Sequence, residues 1–167
     1  MICGFDASTT TCGFAFYDGT VILNAGFIDI SKYSTNKEKV LQIISIIDAI
    51  PLIKSVKTLH LEAALSGFAG GRTSQQVVIM LARFNAICEY ILLEHFKIPV
   101  KLIGASTARK QVLGKSFIKG MNSKEYVKQE LPKIHPEIIT FDKLNTKGNW
   151  NVKNSDMYDA AIMAIYK

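Results

Sequence analysis

The sequence predicts a mixed α/β fold: a five-stranded sheet, built from an antiparallel three-strand meander plus parallel strands, flanked by helices. Three observations carry that prediction. Three short apolar runs joined by tight turns open the chain. After residue 38 the apolar spacing changes to a helical period. From there strand-like and helix-like segments alternate, as they do when helices cover a sheet. The chain of 167 residues suits one compact domain, and it contains no internal repeat or low-complexity tract.

Residues 2–6 form the first apolar run, ending in Asp6, and a small polar turn follows from Ala7 to Thr11. Residues 12–17 form the second run. Asp18-Gly19 is a strong hairpin signal, and residues 21–28 make the third strand. Residues 38–53 carry a broad helical stripe of Val40, Leu41, Ile43, Ile44, Ile47 and Ile50, with Pro51 near its end. Residues 57–63 read as a buried strand holding His60 and Glu62. A flexible loop over 66–71 leads into a long apolar helix from Thr73 to about Phe96. Residues 99–103 give the fifth strand. Ser106 is placed to cap a short helix reaching Val112. Asn122-Ser123-Lys124-Glu125 resembles a capping box, with Pro132 expected to stop the helix it starts. Residues 136–154 read as irregular and polar. Asn154 or Ser155 then caps a final helix.

Charge separates the halves of the chain. The net is +6, yet residues 1–100 balance at eight basic and eight acidic side chains. Residues 101–153 hold eleven basic against four acidic, a local +7, which suggests a polyanionic partner. Cys3, Cys12 and Cys88 are odd in number and widely spaced. They fit neither a disulfide framework nor a zinc site, and read as reduced core thiols of a cytoplasmic protein. No apolar run is long enough to cross a bilayer, and the first residues lack the basic start of a signal peptide, so no membrane association is expected.

Four acids stand in unusual places. Asp6 ends the first strand and Glu62 the fourth, each among apolar neighbours. Asp156 and Asp159, three apart, share one face near the start of the last helix. If they converge, each close pair repels by roughly 4 kcal/mol at ~4 Å and an effective dielectric near 20. Hard divalent cations with oxygen ligands relieve that repulsion. Mg²⁺ fits a few carboxylates plus substrate phosphates, and two such ions can clamp a phosphodiester. Taken singly, the acids also read as a turn cap, a salt-bridged strand end and ordinary helix-start residues.

Gly4-Phe5-Asp6-Ala7-Ser8 followed by Gly13-Phe14-Ala15 resembles the first hairpin of RuvC-type Holliday-junction resolvases, of the RNase H-like superfamily. Leu59-His60-Leu61-Glu62-Ala63-Ala64 resembles their fourth strand, and Ser155-Asp156-Met157-Tyr158-Asp159-Ala160-Ala161 their last helix. The resemblance spans nearly the whole chain in element order, and implies a single RNase H-like nuclease domain over 1–167. It implies that Asp6, Glu62, Asp156 and Asp159 are the catalytic, metal-binding set, holding two Mg²⁺ ions for which Mn²⁺ substitutes. Gly104 to Val112 looks like the family segment carrying a lysine near the scissile phosphate. This makes Lys110 a catalytic candidate and Arg109, Lys110, Lys115 and Lys119 DNA-binding candidates. Phe68 and Arg72 fall where the family places a loop that enters the junction, although Leu65 stands where an aromatic is frequent. Trp150, in a basic polar loop, reads as pinning that loop.

The implied activity is Mg²⁺-dependent cleavage of four-way junctions and other branched DNA by a homodimer, in recombination and repair. The implied setting is cytoplasmic, or host cytoplasm for a viral or phage protein. Three other readings compete. The carboxylates also suit a nuclease for RNA–DNA hybrids or RNA processing. Gly4 to Gly13 also resembles the first phosphate loop of sugar-kinase and actin-like ATPases, which need a second domain and a second Gly-rich loop. A non-catalytic DNA-binding module is the third.

Overall fold

The computed structural model describes residues 1–64 and 75–167. Five strands form one sheet in the order β3-β2-β1-β4-β5: β1 (Ile2–Ala7), β2 (Thr11–Tyr17), β3 (Ile22–Asp29), β4 (Thr58–Glu62) and β5 (Val100–Ile103). The first three pair antiparallel, and β4 and β5 add parallel, β4 beside β1. The helices are α1 (Asn36–Asp48), α2 (Gln75–Phe96), α3 (Ala105–Leu113), α4 (Ser123–Ile134) and α5 (Asn154–Ile165).

Successive side chains of a strand point to opposite faces, and the sheet sorts them into two cores. Cys3, Phe5, Cys12, Phe14, Phe16, Leu59 and Leu61 pack on one face with Val40, Ile43, Ile44 and Ile47 of α1 and Phe84, Cys88 and Leu92 of α2. On the other, Ala15, Tyr17, Ile22 and Ile103 meet Ala108, Val127, Leu131 and the buried face of α5. The three cysteines are free and buried, as expected.

Several local expectations change. The first helix stops at Asp48, not Ile53, and a 3-10 turn spans Pro51–Ser55. Proline disfavours helical backbone in the residue before it, and Ile50 is extended at φ −94°, ψ 111°. The start of α1 is a full capping box between Thr35 and Glu38. Ser106 does not cap α3; Gly104 holds the cap position without a side-chain bond. Asn122 caps α4 by accepting from Lys124 N at 2.9 Å, but Glu125 accepts from Gln129 instead of closing a box. Pro132 sits inside the last turn of α4, which runs on to Ile134. In the final helix Lys153 occupies the cap position. Asn154 instead pairs both ways with the Lys143 backbone, and the Ser155 hydroxyl donates to Val152 O. The 136–154 stretch is more ordered than its polarity suggests: a 3-10 helix spans Pro136–Phe141, burying Ile138, and Leu144 bridges to Trp150.

The expectation that no apolar run is long enough to cross a bilayer does not hold. α2 is long and apolar enough to cross a membrane by length and composition. Arg83 breaks any continuous run, but over the whole helix charges are too sparse to lower the average. Its Ile79, Met80, Tyr90 and Leu93 are exposed.

Candidate metal centre

The strand alternation that sends Phe5 and Leu61 into one core turns Gly4, Asp6, His60 and Glu62 toward α5. Register does the rest. Asp6 pairs with Gly13, and Phe5 with Leu61, so Asp6 and Glu62 end neighbouring parallel strands. The helix then lies on the sheet with almost no space between the backbones. A Cβ on Gly4 would stand 2.2 Å from Ala160 O, and one on Gly13 2.0 Å from Asp156 O. Asp156 therefore sits directly over Gly13, the register partner of Asp6. His60 Nδ1 lies 2.8 Å from Met163 O and ties the far end of α5 to β4. From the other face, Asn85 of α2 donates to Glu62 O at 3.1 Å.

These contacts bring the four expected acids into one electrostatic cluster. Burial pushes the Asp6 carboxyl well above its ordinary value, and Glu62, Asp159 and Asp156 push it the same way. Burial, then Asp159, raises Glu62, with the neighbouring Asp6 carboxyl acting in the opposite direction. Asp159, with 2% of its side chain exposed, is also raised by burial, although Arg109 works against that.

Two cations reach into the cluster. Arg109 of α3 donates through Nε and Nη2 to Asp159 Oδ1 at 3.2 and 2.8 Å. Lys124 of α4 donates to Asp156 Oδ1 at 2.7 Å and to Ser155 Oγ at 3.1 Å. Burial disfavours the Lys124 charge. The hydrogen bond and attraction to Asp156, with Asp6 and Asp159 adding, outweigh it and hold the pKa above the usual lysine value. Lys124 was legible only as part of a helix cap. The missed signal is a cation in the first turn of a helix, where the dipole disfavours it, so that a nearby acid is called for. Arg109, expected at DNA, turns inward.

Lys110 is exposed beside Ser106, Thr107, Gln111 and Ser116. Lys115 and Lys119 are exposed in the segment between α3 and α4. Phe68, Arg72 and the expected helix start at Thr73 lie outside the described residues. Trp150 meets Tyr158 edge to face at 6.2 Å, with Lys128 Nζ 4.2 Å from its ring centre, as suits a loop pin.

The donor set suits a hard divalent cation. It is all oxygen, half or more buried, and contains more carboxylates than its two cations neutralise. Among the described residues, no three His, Cys, Asp or Glu side chains are gathered into a ready-made metal cage; Arg109 and Lys124 hold Asp159 and Asp156 instead. Metal uptake would then involve carboxylate rotation away from these cations.

The raised carboxyls predict a pH effect. Groups whose folded pKa is raised keep protons that the unfolded chain loses above about 3.9–4.3. Their contribution to stability is largest at low pH and declines as pH rises through the folded pKa. In EDTA, Asp6→Asn should therefore gain thermal midpoint relative to the parent as pH rises from about 5 toward neutrality. Taking the difference between the two proteins cancels the opposite contribution of His60, whose pKa burial lowers. A difference independent of pH would count against the cluster.

No protein-family model matches the chain, and no curated protein matches it by sequence. Solved structures do match. The RuvC of T. thermophilus in complex with a Holliday junction substrate aligns at a TM-score of 0.62 and 15% identity, covering 98% of this chain and 90% of that one. A second Thermus thermophilus RuvC structure aligns at 0.60 and 15%, with the same coverage. Ydc2, the yeast mitochondrial Holliday junction resolvase, aligns at 0.60 and 14%, covering 98% of this chain and 75% of that one. The fold is that of RuvC, an RNase H-like mixed sheet with helices on both faces.

Proposed function

We propose that this chain is a Mg²⁺-dependent, structure-selective endodeoxyribonuclease that cleaves Holliday junctions and other branched DNA. The observation that carries the reading is the convergence of Asp6, Glu62, Asp156 and Asp159 from β1, β4 and α5 beside the basic α3–α4 region. The shared fold supports it, because the matched proteins are junction resolvases.

Asp6, Glu62, Asp156 and Asp159 would hold the metal, two Mg²⁺ ions with Mn²⁺ as a substitute. When bound, such ions supply the positive charge that favours attack of water on a phosphodiester and departure of the 3′-oxygen, leaving 5′-phosphate and 3′-hydroxyl. The protein's own groups do the rest. Asp6 and Glu62, fixed at strand ends, define the position of the centre. Lys124 has half of its side chain exposed, so its ammonium is placed to turn from Asp156 toward a phosphate oxygen. Arg109 orients Asp159 through its two hydrogen bonds to Oδ1. Lys110, Lys115 and Lys119 present positive charge to the DNA backbone.

Lys124→Gln should then lower the cutting rate by ~10²-fold, the cost of removing one charge-stabilising donor. Single-turnover cleavage measures it, and an unchanged rate would remove Lys124 from the chemistry.

The exposed apolar face of α2, with Ile79, Met80 and Leu93, suits a second copy of the chain. A homodimer would bring two centres to opposite strands of one junction. Sedimentation should show a dimer that Met80→Asp weakens; a monomer at all concentrations would end the dimer proposal.

The test of the reading is a cleavage panel with a four-way junction, a fork, a linear duplex and an RNA–DNA hybrid at equal concentration. Mg²⁺-dependent nicks at the branch are expected. Preferential cutting of the hybrid would instead assign the site to RNA, and ATP hydrolysis without any cutting would favour the ATPase reading.

A further inference from the structure

Among the described residues, one phenylalanine has an exposed ring. Phe117 is 65% exposed, while Phe5, Phe14, Phe16 and Phe84 are buried. It lies in the segment that links α3 to α4, and Ile118 next to it is also exposed. That segment hangs from the carboxylate cluster at both ends. Arg109, before it, binds Asp159, and Lys124, after it, binds Asp156. Phe117 thus stands no more than about 25 Å of extended chain from Lys124, a span of at most about seven base steps at ~3.4 Å each.

The surroundings of the ring point to its partner. Residues 105–124 contain Arg109, Lys110, Lys115, Lys119 and Lys124 and no acid at all. Lys115 and Lys119 bracket the Phe117-Ile118 pair and are exposed. Gly114 and Gly120 close the segment at φ +80° and +86°, and Met121 N donates to Ile118 O at 3.1 Å. The result is a tip with two apolar side chains between two cations. Apolar wedges enter and unstack base steps, aromatic rings stack on the freed bases, and lysines bind the adjoining phosphates.

We propose that Phe117, supported by Ile118, is a wedge that enters an unstacked base step at the branch of the DNA, with Lys115 and Lys119 on the flanking phosphates. The proposal rests on the nuclease reading for its substrate, branched DNA, and adds the element that recognises the branch.

The test uses the whole chain in EDTA, so that no cutting occurs. The probe is a four-way junction with 2-aminopurine beside the branch point, and a duplex of equal length is the control. Wild type should alter the 2-aminopurine fluorescence. Phe117→Ala should abolish that signal and weaken junction binding roughly five- to hundredfold, while duplex binding changes by less than about twofold. Phe117→Trp, which keeps a stacking ring, should restore both. Because the ring is exposed, the alanine variant should fold as the parent does. The wedge is overturned if Phe117→Ala binds the junction like wild type, if junction and duplex binding fall equally, or if Phe117→Trp fails to restore the signal. A loss of self-association in Phe117→Ala would also overturn it, by making the tip a contact between copies. Cutting by wild type on addition of Mg²⁺ is scored separately, so a failed nuclease reading and a failed wedge are told apart.

Discussion

Asp6→Asn is expected to reduce Mg²⁺-dependent cutting of a four-way junction by ~10³-fold or more, the scale seen when one member of a catalytic unit is removed. Asp6 is the centre of the cluster: its carboxyl is raised by burial and then by Glu62, Asp159 and Asp156 together. Asparagine keeps its size but removes the charge that a divalent ion needs. Junction binding should persist or tighten, because a negative charge near phosphate is lost while Lys110, Lys115 and Lys119 remain. Gel-shift and single-turnover assays on one junction separate these effects. Cutting at the wild-type rate would show that the site is misassigned.

Gly13→Ala is expected to damage fold and activity together. The added methyl would stand 2.0 Å from Asp156 O, 2.2 Å from Asp156 C and 2.7 Å from Met157 N. All three are backbone atoms of a buried helix, so no side chain can turn aside to make room. α5 must lift from β2, and overpacking of this kind costs about 1–3 kcal/mol, occasionally more. At this length each kcal/mol lowers the thermal midpoint by about 2–4 °C. The shift also carries Asp156 and Asp159 away from Asp6, so activity should fall further than stability explains. An unchanged thermal midpoint would contradict the close packing of helix on sheet.

The sheet was legible because its signals are local. The apolar runs at residues 2–6, 12–17 and 21–28 and the short turns between them, Asp18-Gly19 before the third, define a meander without reference to the rest of the molecule. Asp6 and Glu62 were visible for a related reason, since a charge at the end of an apolar strand conflicts with burial. What stayed hidden depends on elements far apart in the chain. Arg109 and Lys124 look like surface cations until α3 and α4 dock beside α5, and only then do they meet Asp159 and Asp156. The caps of α3 and α5 were misplaced because Ser106, Asn154 and Ser155 are good capping residues whose polar groups found other places or partners. Gly4 and Gly13 looked like turn or motif glycines, but their role is to let the α5 backbone touch the sheet. Phe117 carried no signal in sequence, where an aromatic between lysines reads equally as core or surface.

Binding of divalent cations by these four carboxylates can be followed without DNA or turnover, by a Mn²⁺ titration read by electron paramagnetic resonance. Wild type should remove free Mn²⁺ from solution, Mg²⁺ should compete it off, and Asp6→Asn should largely lose that uptake. No uptake by wild type, or equal uptake by Asp6→Asn, would show that the four carboxylates are not a metal centre.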